Sequence, residues 1–155
     1  MFGLKNLELL YVITAILFQI VLIVHFAIRK WRFETAIRYG TIVYGLGIPA
    51  FIVSVILLLG NLNWEFWLGG FIYLVWAIFG YYVEYVKKIE WRSPIRLNIF
   101  IPYIIIYLAT VMFYWWPLAN INKSLWYVAA ILFIISTVLN AISHNRADSK
   151  YRSKE

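Results

Sequence analysis

The chain has 155 residues, of which 64% are hydrophobic and only 14% charged. A soluble domain is nearer half apolar and a quarter charged, and a small fold cannot hide that much apolar surface from water. Soluble enzymes, soluble nucleic-acid binders and disordered chains are therefore excluded together, which leaves an integral membrane protein. There is no cysteine, so disulfides, thiolate chemistry and cysteine zinc sites are excluded as well.

Five apolar segments follow along the chain: about 7–28, 39–59, 66–86, 97–116 and 125–143. Each has roughly 20 residues, enough for a helix to cross a hydrocarbon core of about 30 Å. The expected fold is all-α: one five-helix transmembrane bundle over residues 1–143 and a basic tail over 144–155. Barrel strands are excluded, because they need only about 9–11 residues and alternate in polarity. The first segment reads as an uncleaved span. Met1–Glu8 carries one Lys and one Glu instead of a basic leader, and basic residues follow the apolar run.

Between the spans lie Arg29–Arg38, then Gly60-Asn61-Leu62-Asn63, then Lys87–Arg96, then Pro117–Lys123. Such short connections make sequential helices expected neighbours. Sorted by side, Lys5 and Lys123 fall on one face of the membrane. Arg29, Lys30, Arg32, Arg38, Lys87, Lys88, Arg92, Arg96, Arg146, Lys150, Arg152 and Lys154 fall on the other. The positive-inside rule then puts the N terminus outside and the tail in the cytoplasm. The expected location is the cytoplasmic (inner) membrane of a prokaryote, with the chain multi-pass. Insertion accounts for the net charge of +7, so no nucleic-acid partner is expected; anionic headgroups are the natural second partner.

Eight tryptophans are present. Trp64, Trp67, Trp115, Trp116 and Trp126 flank one predicted boundary, and Trp31 and Trp91 the other, as belt residues do. Trp76, in mid-span, is the exception. Leu59-Gly60-Asn61-Leu62-Asn63 resembles Leu118-Ala119-Asn120-Ile121-Asn122, with Trp67 and Trp126 at one offset. A duplication would make spans two–three and four–five parallel copies.

Small and polar residues mark helix contacts in membranes. In span three, Gly70, Tyr73, Ala77, Gly80 and Glu84 share one face. Span two offers Gly40, Gly47, Ala50 and Ser54. Span four offers Tyr103, Tyr107, Thr110 and Tyr114. Span five offers Ala129, Phe133, Ser136, Asn140 and Ser143. In span one the predicted stripe is Thr14, Phe18, Val21 and His25, with Gln19 about 120° away. Pro49, in mid-span two, should kink the helix and free a carbonyl. Pro102 is an early proline that a helix accommodates.

The candidate site is His25, Glu84, Asn140 and His144. All lie within about two turns of the basic residues that end their helices, so their depths agree. Polar groups at membrane depth are functional candidates by default. A carboxylate and two imidazoles can relay protons, bind a metal or hold a hydrogen-bonding ligand. The plainer reading makes Glu84 an i,i+4 partner of Lys88. His25 and His144 at one level also suit axial ligation of haem b.

No catalytic triad, phosphate loop or His-Glu-x-x-His is present, so a non-enzymatic role is expected. Asn122-Lys123-Ser124 fits a glycosylation sequon. In span number, length and tryptophan content the chain resembles the tryptophan-rich translocator proteins. That resemblance is architectural: adjacent prolines and a Trp-x-Pro-Pro stretch are missing, and no residue carries over. The expected function is a binding or accessory subunit for lipid, a hydrophobic ligand or a larger membrane complex, which homo-oligomers include. The alternative is a haem b-bearing electron-transfer subunit ligated by His25 and His144.

Overall fold

The computed structural model describes residues 4–91 and 95–152, and of residues 144–152, Leu4, Phe33 and Ile37 only the backbone. Arg92, Ser93 and Pro94 lie outside that description, as do the side chains of His144 and the tail cations and all of Lys154. Among the described residues the chain is helical: α1 (Leu4–Trp31), α2 (Phe33–Gly45), α3 (Gly47–Leu59), α4 (Trp64–Tyr81), a π-turn (Tyr82–Val86), α5 (Leu97–Trp115), α6 (Leu118–Ile121) and α7 (Lys123–Arg152). Five stretches are long and apolar enough to cross a membrane: Lys5–Trp31, Arg38–Leu59, Trp64–Val86, Leu97–Ile121 and Lys123–Ser143. These are spans one to five. The fifth helix does not stop at the predicted boundary near residue 143 but runs on to Arg152.

Polarity is inverted relative to a soluble bundle. The interior holds Gln19, Ser54, Thr110, Ser136 and Ser143 beside Tyr11, Tyr73, Tyr103, Tyr107 and Tyr114. The surface holds Leu9, Ile13, Leu17, Ile105, Ile131 and Ile134. Water cannot stabilise that surface, whereas lipid can, and helix association then rests on packing and interhelical polar contacts.

Span one supplies the central stripe. Leu7, Tyr11, Ala15, Phe18, Leu22, Phe26 and Arg29 recur at spacings of four, four and three, twice over, and all are buried. The predicted stripe is therefore rotated: Phe18 belongs to it, but Thr14, Val21 and His25 are only half-buried flanks. The other predicted faces match in their small residues and tyrosines, while Glu84, Phe133 and Asn140 are only half-buried. Gly40, Gly47, Ala50 and Ser54 are buried in span two; Gly70, Tyr73, Ala77 and Gly80 in span three; Tyr103, Tyr107, Thr110 and Tyr114 in span four; Ala129, Ser136 and Ser143 in span five.

Spans two and three are locked in antiparallel register by small residues. A Cβ added at Gly70 would meet Ser54 Oγ and the Ala50 carbonyl; one at Gly47 would lie 2.8 Å from Ala77 Cβ; one at Gly80 would strike the Tyr44 ring. Between Gly80–Tyr44 and the next such pair, Tyr85–Gly40, span three advances five residues while span two advances four. The π-turn lies in that interval and supplies the extra residue: Lys87 N–H donates to Tyr82 O at 2.8 Å, an i→i−5 bond.

Span two breaks at Leu46, within a turn of Pro49, as the proline requires. Tyr73 hydroxyl donates to the Val43 carbonyl at the break, at 2.6 Å. α5 passes through Pro102 without a break.

Two other expectations are corrected. Spans four and five do not repeat spans two and three: span five packs chiefly on span one and only lightly on span four. The repeated Asn pattern instead reflects helix starts, since Asn63 and Asn122 immediately precede α4 and α7. Asn122 Oδ1 accepts from Ser124 N–H at 2.8 Å and Leu125 N–H at 3.3 Å, which makes Asn122 the N-cap of α7. Trp91 is not a belt residue, because it is 2% exposed, with its ring 4.9 Å from Tyr103. Trp31, Trp64 and Trp116 do sit exposed at the span ends.

Candidate functional site

The basic end of the bundle contains most of the predicted site. His25 lies in the last third of α1, half-buried, one turn before Arg29. Arg29 is only 5% exposed, because its position continues the central stripe beyond Leu22 and Phe26. Around it, Arg32, Arg38, Lys87, Lys88 and Arg96 are exposed.

Gly40 joins three spans at this end. A Cβ there would lie 2.5 Å from Tyr85 Oη and 3.9 Å from His25 Cε1. Tyr85 of span three and His25 of span one thus both border Gly40 of span two. The Tyr44 ring, 6.1 Å from Tyr85, lines the same wall.

Glu84, the residue before Tyr85, is half-buried in the π-turn. The π-turn changes what faces the bundle there: Val83 is buried and Tyr85 reaches across to Gly40. The helical turn ends at Val86 and Lys88 adopts a φ of 50°, so Glu84 and Lys88 do not stand at the regular i,i+4 spacing of an α-helix. Asn140 is half-buried and its carbonyl accepts from Ser143 Oγ at 2.7 Å. The His144 side chain lies outside the described residues. Among the described residues no three His, Asp or Glu side chains form a metal-binding group.

Reading the sequence placed Arg29 at this end but not in the interior, and missed Tyr85. Arg29 was grouped with the loop cations, although its four-residue step from His25 put it on a helix face. Nothing in the sequence marks the π-turn that aims Tyr85.

A second polar group lies deep in the bundle. Gln19 and Ser136 are 0% exposed, Trp76 is 2% and Tyr107 3%. Ser136 Oγ stands 3.5 Å from Gln19 Oε1 and donates to the Phe133 carbonyl at 2.9 Å. The Trp76 ring packs 5.4 Å from Tyr103 and 6.0 Å from Tyr107. The mid-span tryptophan is thereby explained as an interior residue.

The chain matches no family model, no curated protein and no solved structure.

Proposed function

We propose that the chain is a non-enzymatic binding protein or accessory subunit of the membrane, and that its ligand is an anionic lipid or lipid-like amphiphile held at the basic end. Buried Arg29 carries this reading. Its guanidinium is a planar fork of five donors, which can serve an internal partner and a carboxylate or phosphate oxygen together. The exposed Arg32, Arg38, Lys87, Lys88 and Arg96 add a field that gathers anionic headgroups. His25 and Tyr85, which both border Gly40, add hydrogen-bonding groups one turn deeper.

Thermal unfolding in a neutral detergent, with phosphatidylglycerol or phosphatidylcholine added, tests this. The anionic lipid should raise Tm more than the zwitterionic one, and Arg29→Gln should abolish the difference. Equal shifts from both lipids, or a difference that survives Arg29→Gln, would refute the reading. A Soret band in the purified protein that His25→Ala removes would replace it with the haem b reading.

A further inference from the structure

Span two changes partners at its break. α2 packs chiefly on span one, whereas α3 packs chiefly on span three. The rest of the bundle divides the same way. Span five packs chiefly on span one and span four chiefly on span three, while span one touches α3 and span four only lightly. The packing thus forms two bodies: span one, α2 and span five in one, and α3, span three and span four in the other.

The contacts within and between the bodies differ in kind. Inside the second body backbones approach closely, with Gly47 against Ala77, Gly70 against the Ala50 carbonyl and Gly69 against the Phe113 backbone. Between the bodies aromatic rings keep the backbones apart. Phe18 lies 4.9 Å from Tyr73 and 4.7 Å from Tyr114, and Tyr44 lies 5.3 Å from Trp76. Rings on long side chains can adjust to a shift that interlocked backbones cannot.

The chain passes between the bodies twice, at Leu46 in span two and through α6 between spans four and five. α6 lies at the end away from the basic residues. There the bodies are also tied by Tyr11 hydroxyl donating to the Phe113 carbonyl at 2.7 Å and Trp115 Nε1 donating to the Trp126 carbonyl at 3.2 Å. At the basic end each connection stays within one body: Arg32 joins span one to α2, and Lys87–Arg96 joins span three to span four. The bodies meet there with Tyr85 on one side and Gly40 and His25 on the other.

We propose that the two bodies rock about Leu46, closed at the α6 end and opening at the basic end, where the junction of His25, Gly40 and Tyr85 parts. Pro49 gives the Gly45 carbonyl no N–H, and Gly45 has open space beside it, so span two can bend at that point. Tyr73 is the latch, because its hydroxyl reaches from one body to the Val43 carbonyl of the other. The proposal does not rest on lipid binding at the basic end, and either can fail alone.

Distances between paired spin labels test it, and a chain without native cysteine allows clean labelling. Cysteines at exposed Tyr39 and Ile101 report across the bodies at the basic end. Ile52 and Leu108 report on the same two spans beyond the break, and Tyr39 and Val138 report within the first body. The Tyr39–Ile101 pair should show two distances and the other pairs one. Tyr73→Phe should raise the ratio of long to short distances about fivefold, the change that one net hydrogen bond makes. Pro49→Ala, at an exposed position, restores an N–H to the break and should remove the long distance. That variant and the wild type carry the test if Tyr73→Phe does not fold. A single Tyr39–Ile101 distance in wild type and Tyr73→Phe alike overturns the proposal. So does a second distance in the Ile52–Leu108 or Tyr39–Val138 pair, or a long distance that Pro49→Ala leaves in place.

Discussion

Replacing Gly70 with alanine should separate the two helices that are locked most closely. The added methyl would overlap Ser54 Oγ and the Ala50 carbonyl oxygen, and would sit 3.0 Å from the Ala50 carbonyl carbon. Two of those atoms are backbone, so no rotamer change relieves the overlap and spans two and three must move apart. Overpacking of this kind costs about 1–3 kcal/mol, and a rigid backbone contact belongs at the upper end. Alanine's helix propensity returns about 1 kcal/mol, leaving a net loss of about 2 kcal/mol. Gly45 is the internal control: a Cβ there meets nothing within 4 Å, and its φ is not positive. Gly45→Ala should therefore gain up to about 1 kcal/mol. The two variants should differ by about 3 kcal/mol, or about 6–12 °C in Tm for a chain of this size. Thermal unfolding in one detergent, followed by tryptophan fluorescence, reads the difference. Gly70→Ala as stable as Gly45→Ala would show that the spans do not approach as described.

Gly80→Leu should destabilise far more than Ile78→Leu, because Gly80 faces the Tyr44 ring while Ile78 is exposed; equal Tm values would reverse the assignment of the span-three face. Tyr73→Phe leaves the Val43 carbonyl at the span-two break without its donor and should cost about 1–3 kcal/mol, measured by denaturant or thermal unfolding. Asn122→Ala removes the cap of α7 and should cost about 1 kcal/mol, with Asn122→Ser restoring most of it. Cysteines at exposed Asn63 and Asn120 should react with an impermeant maleimide on intact cells; reaction only after lysis would invert the orientation expected from the Lys/Arg asymmetry.

The spans were legible because bilayer thickness fixes their length, leaving the ends nearly determined by charge and turn residues. The contact faces of spans two to five were legible for another reason: Gly, Ala and Ser are informative where lipid supplies no hydrophobic drive. Span one defeated the same reasoning. Its stripe runs Leu7, Tyr11, Ala15, Phe18, Leu22, Phe26, while the opposite face is Leu9, Ile13, Leu17, Ile20, so composition hardly distinguishes them. The grouping of Thr14 and His25 with Phe18 followed polarity, whereas shape decided the packing. Trp91 was misassigned because a tryptophan near a boundary looks the same whether it turns to lipid or tucks under Tyr103. Glu84 was placed on the right helix, but its surroundings depend on a hydrogen-bond pattern that Tyr82–Val86 does not advertise. Trp76 and Gln19 each stood out singly. Their relation to Tyr107 and Ser136 arises from the arrangement of four helices and has no counterpart in linear spacing.

The π-turn gives span three slack that a regular helix does not have. Its five residues do the work of about one turn, so deleting one of them would leave an ordinary α-helix and an unbroken chain of hydrogen bonds. The wide turn already absorbs the extra residue, so everything beyond would keep its approximate facing. Without Glu84, for example, Tyr85 would follow Gly80 by four residues, matching the four between Tyr44 and Gly40, and would stay opposite Gly40. The span would still cross the bilayer and still lock onto span two through Gly70, Ala77 and Gly80. A one-residue loss is therefore absorbed here, whereas the same loss between Gly70 and Gly80 would turn everything beyond it by about 100°.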